Sequence, residues 1–436
     1  MKSLSVRRTA RLGAAAVATT LLAATAACSS ASGATVHSPG AGTTPAAAPA
    51  ATPAATGSAS HTGGRGTLVA ATVLRTLSRA QAGAWLTAQG YGSPAARYGF
   101  TEYRVTYRTI DVAGRPTTAS GVLALPDSGR RGLAPVVYLH GTTVPKNAVA
   151  SATGDNYDAA AGPMFAAAGY AGVAPDYLGL GSGPGPHPYM VHAAETTSAT
   201  DMLAAARDLA RKKGRTLDPG IRVAGFSQGA TAAMDLGKTL HAHPVPGTSV
   251  TAIGALSGPY DLTGAELPIA LGTHQLTGVE VSFYLAYLTI GWNPVYHLYD
   301  SPGEVFRGRY AQLIPSVFDG AHDYTAIYRA LPADVNDLLT PAYLARLRHP
   351  TGALRQALHA NSLTCAGWRP AEPVQLWAAK GDGDVAFQNS AHCLAALHAS
   401  GTPAHLTDLG DLDHQHGALR GLPDILRWFE RLDAAR

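Results

Sequence analysis

Three observations predict an α/β protein built on a mostly parallel central sheet. Short apolar runs alternate with amphipathic helical stretches, one of those runs meets a helix through a Gly-rich turn, and strand signal returns after a long aromatic-rich interruption. In such sheets ligands bind beyond the carboxyl ends of the strands, so the residues just after each strand carry most of the functional argument.

The start of the 436-residue chain reads as something other than fold. Lys2, Arg7, Arg8 and Arg11 precede an apolar run from Leu12 to Ala27. That run is too short to cross a bilayer comfortably and reads as an export signal over residues 1–27. It ends in Ala26-Ala27-Cys28, which resembles a bacterial lipobox, with Thr25 where an aliphatic residue is usual. Cys28 is therefore a candidate lipidation site. Two outcomes follow, a freely secreted protein or one tethered to the outer face of the membrane through Cys28. Residues 28–64 are Ala, Pro, Thr, Ser and Gly with almost no large apolar side chain, the composition of a flexible linker. An exported chain can keep a disulfide, and Cys365 and Cys393 form one possible pair.

Folded sequence is expected from residue 65, as a core in two parts, 65–262 and 372–436. Hydrophobic residues make up 46% and charged residues 14%, and the net charge of +4 is spread along the chain. No electrostatic footprint for nucleic acid results. "TEYRVTYRTIDVAGRPTTASGVLALP" (101–126) holds two β-rich runs split by Gly114-Arg115-Pro116, a hairpin. "APVVYLHG" (134–141) is a continuous apolar run, as for a strand buried on both faces. A further strand is expected near Tyr170–Ala174. "TSATDMLAAARDLARKKG" (197–214) predicts a helix capped by Ser198 with Asp201 and stopped at Gly214. "IRVAG" predicts a strand, followed by a helix from about Ala230 to Leu240. After a strand in 250–262, residues 263–371 read as a helical insertion rich in Phe, Tyr and Trp, a candidate cap. Strand signal returns at 372–379, and "LPDILRWFERL" closes the chain as a helix.

Between the "IRVAG" strand and its helix lies Gly225-Phe226-Ser227-Gln228-Gly229, a G-x-S-x-G nucleophile elbow. With 48 glycines in the chain the pattern alone is weak, and its place at a strand end is what makes Ser227 a nucleophile candidate. A serine hydroxyl needs a base, the base needs an orienting acid, and the oxyanion needs donors. For the acid, "AAKGDGDVAFQNS" offers Asp382, with Val385 three residues on, and Asp384 as second choice. For the base, "GDLDHQHGAL" offers His414, and His416 as second choice. The H-x-H pair with Asp411 and Asp413 also permits a metal site, for which no matching cluster stands elsewhere. The main-chain N–H groups of Gln228 and of Thr142, which follows His140-Gly141, are the expected oxyanion donors.

"VVYLHGTT", "GYAGVAPDYLGLG…HPY", "GFSQGA", "GDGDVAFQNS" and "LDH" resemble, in order, segments of exported bacterial esterases and lipases of the α/β-hydrolase fold, closest to the secretory lipase family. The resemblance covers most of the chain from about residue 65 and weakens through the insertion. It implies the triad Ser227, Asp382 and His414 and a helical cap; chemistry by such a triad needs no metal or organic cofactor. Asp176, Tyr177, His187 and Tyr189 match its "DYLGLG…HPY" segment and read as loop architecture. Ala386 and Phe387 stand where many relatives have Pro, and Ala230 replaces a second Gly; none of these removes a reacting group. The expected partner is a small-molecule or lipid ester. A peptidase or amidase on the same scaffold, and a tethered binding protein with a vestigial hydrolase fold, are the rival readings.

Overall fold

The computed structural model describes residues 64–435 apart from 92–95, 153–155 and 274. The signal, Cys28 and the linker lie outside the described residues. Two long strands, β1 (Leu68–Leu77) and β2 (Phe100–Ile110), flank helix α1 (Arg79–Ala88), which Ser78 and Gln81 start with a reciprocal capping box. β2 and β3 (Pro116–Pro126) form the hairpin expected around Gly114, whose φ of 77° favours a residue without Cβ. A two-residue strand β4 (Gly132–Leu133) leads into β5 (Pro135–Leu139); α2 (Ala161–Ala167), β6 (Ala171–Pro175) and α3 (His192–Lys212) follow. Then come β7 (Thr216–Leu217), which pairs with β4, β8 (Gly220–Phe226), α4 (Gln228–Ala242) and β9 (Ser249–Leu256).

The nine-stranded sheet runs β1-β2-β3-β6-β5-β8-β9, and then β10 (Val374–Ala378) and β11 (His405–Asp408). The first three strands and the β3–β6 pair are antiparallel, and every pair from β6 to β11 is parallel. Parallel strands need helical crossovers, which cover both faces. β5 shows the result: Val137 and Leu139 pack into the cluster under α3 and α4, while Val136 and Tyr138 face the cluster under α2 and the last helix, α13 (His414–Ala434).

Between β9 and β10 stand helices α5 (Leu267–Gly272), α6 (Gly278–Tyr296), α7 (Tyr310–Val317), α8 (Tyr324–Ala330), α9 (Val335–Leu338), α10 (Pro341–Arg348) and α11 (Gly352–Ala360). A single π-helical turn, Leu262–Glu266, opens the segment. After β10 comes α12 (Phe387–Ala399), tied back to the helical segment by a Cys365–Cys393 disulfide. Among the described residues no helix is long and apolar enough to cross a membrane.

Two sequence expectations need correction. α3 starts at His192, not near Ser198, because Ser198 and Asp201 are buried partners of β2 rather than caps. Ser198 Oγ lies 2.8 Å from Tyr107 Oη, and Asp201 accepts from Thr109 Oγ1 at 2.7 Å. The last helix starts at His414, well before Leu422. Asp413 caps it by accepting the His416 N–H, and Pro423 sits inside the helix rather than opening it.

Candidate active site

β8 delivers Ser227 into a sharp turn. Its φ of 56° and ψ of −123° are unusual for a non-glycine residue, and the strain raises the side chain between strand and helix. The two motif glycines explain how so tight a turn fits. A Cβ on Gly225 would lie 2.0 Å from Gly229 O, and one on Gly229 would lie 1.9 Å from Leu139 O. The Ser227 N–H is held by Leu256 O at 2.9 Å. Gln228 is the first residue of α4, where N–H groups have no intrahelical partner and point out of the helix end.

Asp382 lies in the loop after β10. One carboxylate oxygen accepts the N–H groups of Asp384 (2.9 Å) and Val385 (3.0 Å), which is what the three-residue spacing to Val385 provides. The other oxygen lies 2.8 Å from His414 Nδ1. His414 Nε2 is 2.9 Å from Ser227 Oγ, and its ring packs against Phe226 with centroids 4.6 Å apart. All three side chains are buried. Burial pulls the His414 pKa down, but the charge and hydrogen bond of Asp382, with Asp384 and Glu266 adding, push it up to about 9. Burial works in the opposite sense on Asp382, yet His414 and the two loop N–H groups hold its carboxyl below the ordinary value.

The second-choice residues sit apart from this relay. Asp384 accepts the Tyr284 hydroxyl at 2.8 Å, and exposed His416 pairs with Asp413 at 2.8 Å. No group of three His, Cys, Asp or Glu side chains among the described residues could hold a metal ion. Thr142 lies on the loop after β5; its hydroxyl meets Tyr189 Oη at 2.8 Å, and its carbonyl accepts from Tyr324 Oη at 3.2 Å. The Gly141 N–H donates to half-buried Asp158 at 2.8 Å, which fixes the start of that loop.

Two clefts meet at Ser227. One, of about 420 Å³, is lined by Thr142, His414, Tyr157, Phe283, Tyr324 and Tyr328 among others. The other is narrower, about 50 Å³, and is walled by Leu262, Leu267, Val281, Leu285 and Leu288 with Glu266. Sequence reasoning missed Glu266. Its Oε2 accepts the Ala386 N–H (3.1 Å) and Asn389 Nδ2 (2.5 Å), holding the loop that carries Asp382, and burial raises its pKa to about 7. Its one sequence signal is a lone acid amid the apolar "ELPIAL".

No family model matches the chain, and no curated protein does. Two solved bacterial structures match over nearly their whole length. The rice cell wall degrading esterase LipA from Xanthomonas oryzae is 27% identical, with a TM-score of 0.77 over 85% of this chain and 100% of that one. A Legionella pneumophila protein assigned to the hydrolases is 28% identical, with a TM-score of 0.76 over 84% and 98%. Candida antarctica lipase A, 14% identical, shares the fold with a TM-score of 0.59 over 80% and 78%. The chain is a carboxylic ester hydrolase of the α/β-hydrolase fold. In this hydrolase the elbow, the acid loop and the start of α13 converge at the carboxyl ends of β8 and β10, where ligand chemistry belongs in an open α/β sheet.

Proposed function

We propose that the hydrolase cleaves acyl esters through Ser227, His414 and Asp382 by way of an acyl-enzyme. The observation that carries this reading is the unbroken relay from Ser227 Oγ through His414 to Asp382, with contacts of 2.9 and 2.8 Å. His414 Nε2 takes the Ser227 proton as Oγ attacks the ester carbonyl. Asp382 holds the Nδ1–H tautomer and stabilises the imidazolium. The main-chain N–H groups of Gln228 and Thr142 receive the oxyanion. His414 returns its proton to the departing alcohol, then activates the water that releases the acid and frees Ser227. The leucine-walled cleft suits an apolar acyl group, and the wider aromatic cleft suits the alcohol portion.

Export by the N-terminal segment, with Cys28 as the candidate anchor, belongs to the same proposal, and the likeness to a cell wall degrading esterase supports an ester outside the cell. The mass of the mature N-terminus separates a lipidated Cys28 from plain cleavage. For the chemistry, short and long p-nitrophenyl esters are assayed beside Ser227→Ala, with fluorophosphonate labelling of both proteins. Loss of turnover and labelling together in the variant supports the triad; full activity in Ser227→Ala refutes it.

A further inference from the structure

Beside the elbow lies a buried cluster of polar side chains that the mechanism above does not use: those of Glu195 on α3, Gln228 on α4, and His187 on the loop leading into α3. The Gln228 carboxamide has two N–H bonds and two acceptors for them. Nε2 is 2.6 Å from Glu195 Oε1 and 3.1 Å from His187 Nε2. His187 Nδ1 lies 2.9 Å from the Leu178 carbonyl, which only accepts. The His187 proton is therefore on Nδ1, Nε2 is an acceptor, and the orientation of the amide is fixed.

Two atoms are left over. Glu195 Oε2 and Gln228 Oε1 are both buried, and neither has a hydrogen-bond partner. With Glu195 ionised both are acceptors, and two buried acceptors on one hydrogen-bonded pair cannot satisfy each other. A single proton on Oε2 would turn one of these acceptors into a donor for the other. Donated to Gln228 Oε1, that proton would join the Gln228 Nε2–H to Glu195 Oε1 contact already present and close an acid–amide ring.

We propose that Glu195 is an un-ionised carboxylic acid that positions Gln228, and that its ionisation at alkaline pH loosens the oxyanion site and limits turnover from above. The inference about turnover rests on the triad reading, in which the Gln228 N–H receives the oxyanion; the protonation of Glu195 does not. Glu195 touches no substrate and acts through Gln228, as a positioning residue.

The surroundings agree. Burial raises the Glu195 pKa to about 8, with Asp235 of α4 adding to the rise, against smaller lowering effects from Gln228 and the Met190 N–H. The Glu195 charge also reaches Tyr177, Tyr189 and, from α6, Tyr296. His187 and, one turn back on α3, His192 are each pushed down to about 3 by burial and are neutral. The groups facing Glu195 are thus neutral or acidic. Ionised, it would leave two buried oxygens with no donor in a low-dielectric site, and would place a full negative charge behind the N–H that must stabilise a developing one.

Glu195→Gln tests this, because an amide can make both bonds of the ring without titrating. Ester kcat/KM is measured for parent and E195Q from about pH 6 to about pH 9.5, and the E195Q-to-parent ratio is plotted, so that His414 and Glu266, present in both, cancel. The ratio is expected to rise at least about fivefold across that range, carried by kcat rather than KM. A flat ratio overturns the proposal. In the infrared difference spectrum at neutral pH, the parent should show the carbonyl stretch of an un-ionised acid that E195Q lacks. Its absence also overturns the proposal, whether or not the triad reading holds. Failure of E195Q to fold where Glu195→Leu folds overturns it too, since the amide keeps the bonds that Leu removes. The triad reading fails separately, through turnover by Ser227→Ala.

Discussion

Gly229→Ala is the sharpest test of how the elbow works. Its Cβ would stand 1.9 Å from the Leu139 carbonyl oxygen, 2.4 Å from the Leu139 carbonyl carbon and 2.6 Å from His140 O. All three atoms are main chain, so no side chain can swing away. Restoring even a tight 3.0 Å contact to Leu139 O requires the first turn of α4 and the end of β5 to part by at least about 1.1 Å. β5 is locked between β6 and β8, so the movement goes into the elbow and the 140–142 loop. Those two segments supply Gln228 and Thr142. A displacement of about 1 Å in a reacting geometry costs up to about 10²-fold, close to the loss of one oxyanion donor. The expected result is a kcat lowered about 10²-fold with KM changed far less, and a melting temperature lowered by several degrees through about 1–3 kcal/mol of overpacking. Steady-state kinetics on a p-nitrophenyl ester and a thermal scan read both. Gly83→Ala is the control: it lies in α1, its Cβ would meet Ala96 Cβ at an ordinary 3.8 Å, and it should leave kcat alone. Parental kcat and melting temperature in Gly229→Ala would refute the close-packing argument.

Asp382→Asn should lower kcat about 10⁴-fold while the protein still folds, because an amide at that place favours the wrong His414 tautomer; a loss below tenfold would exclude Asp382 as the orienting acid. The base must be neutral, so kcat/KM should rise as pH climbs from about 6.5 toward the His414 value of about 9, most clearly in E195Q, where the alkaline limit is removed. Stability runs the other way. A raised histidine pKa stabilises fully below about 6.5 and loses that contribution as pH passes about 9, which denaturant midpoints across this window will show. Opening the Cys365–Cys393 bridge, 28 residues apart in sequence, should cost about 3–4 kcal/mol by chain entropy, read as a lower denaturant midpoint for the double Ser variant, with kcat at low temperature nearly unchanged because neither cysteine lines either cleft.

The strands with continuous apolar runs, β5 and β6, were legible because burial on both faces leaves no polar alternation to confuse them. Ser227 stood out as the nucleophile candidate because the motif stood at a strand end. The choice between His414 and His416 was less so. Two residues apart on a helix they point about 200° apart, and only the docking of α13 decides which ring turns inward. The start of α3 was misread because Ser198 and Asp201 serve β2, a tertiary use of residues that look like a local cap. β11 is four residues at the sheet edge with no apolar run to announce it. Glu195 and Glu266 were invisible as site residues, since an acid's significance depends on what lies across from it in space, and their partners are 33 and 123 residues away.

Helix α13 gives the reaction centre a remote point of reference. His414 is its first residue, and Asp433, almost at its other end and about 28 Å along the axis, pairs with Arg222 of β8 and accepts the Tyr170 hydroxyl at 2.6 Å. β8 is also the strand that carries Ser227. The proposed base and nucleophile are thus the two tips of a long clamp whose arms are a helix and a strand, fastened at the far end. The alignment of Nε2 on Oγ is therefore set twice, once locally by Asp382 and once by a fastening on the opposite rim of the sheet. Changes at Asp433 or Arg222 should reach the chemistry as a change of angle, with every reacting atom still present.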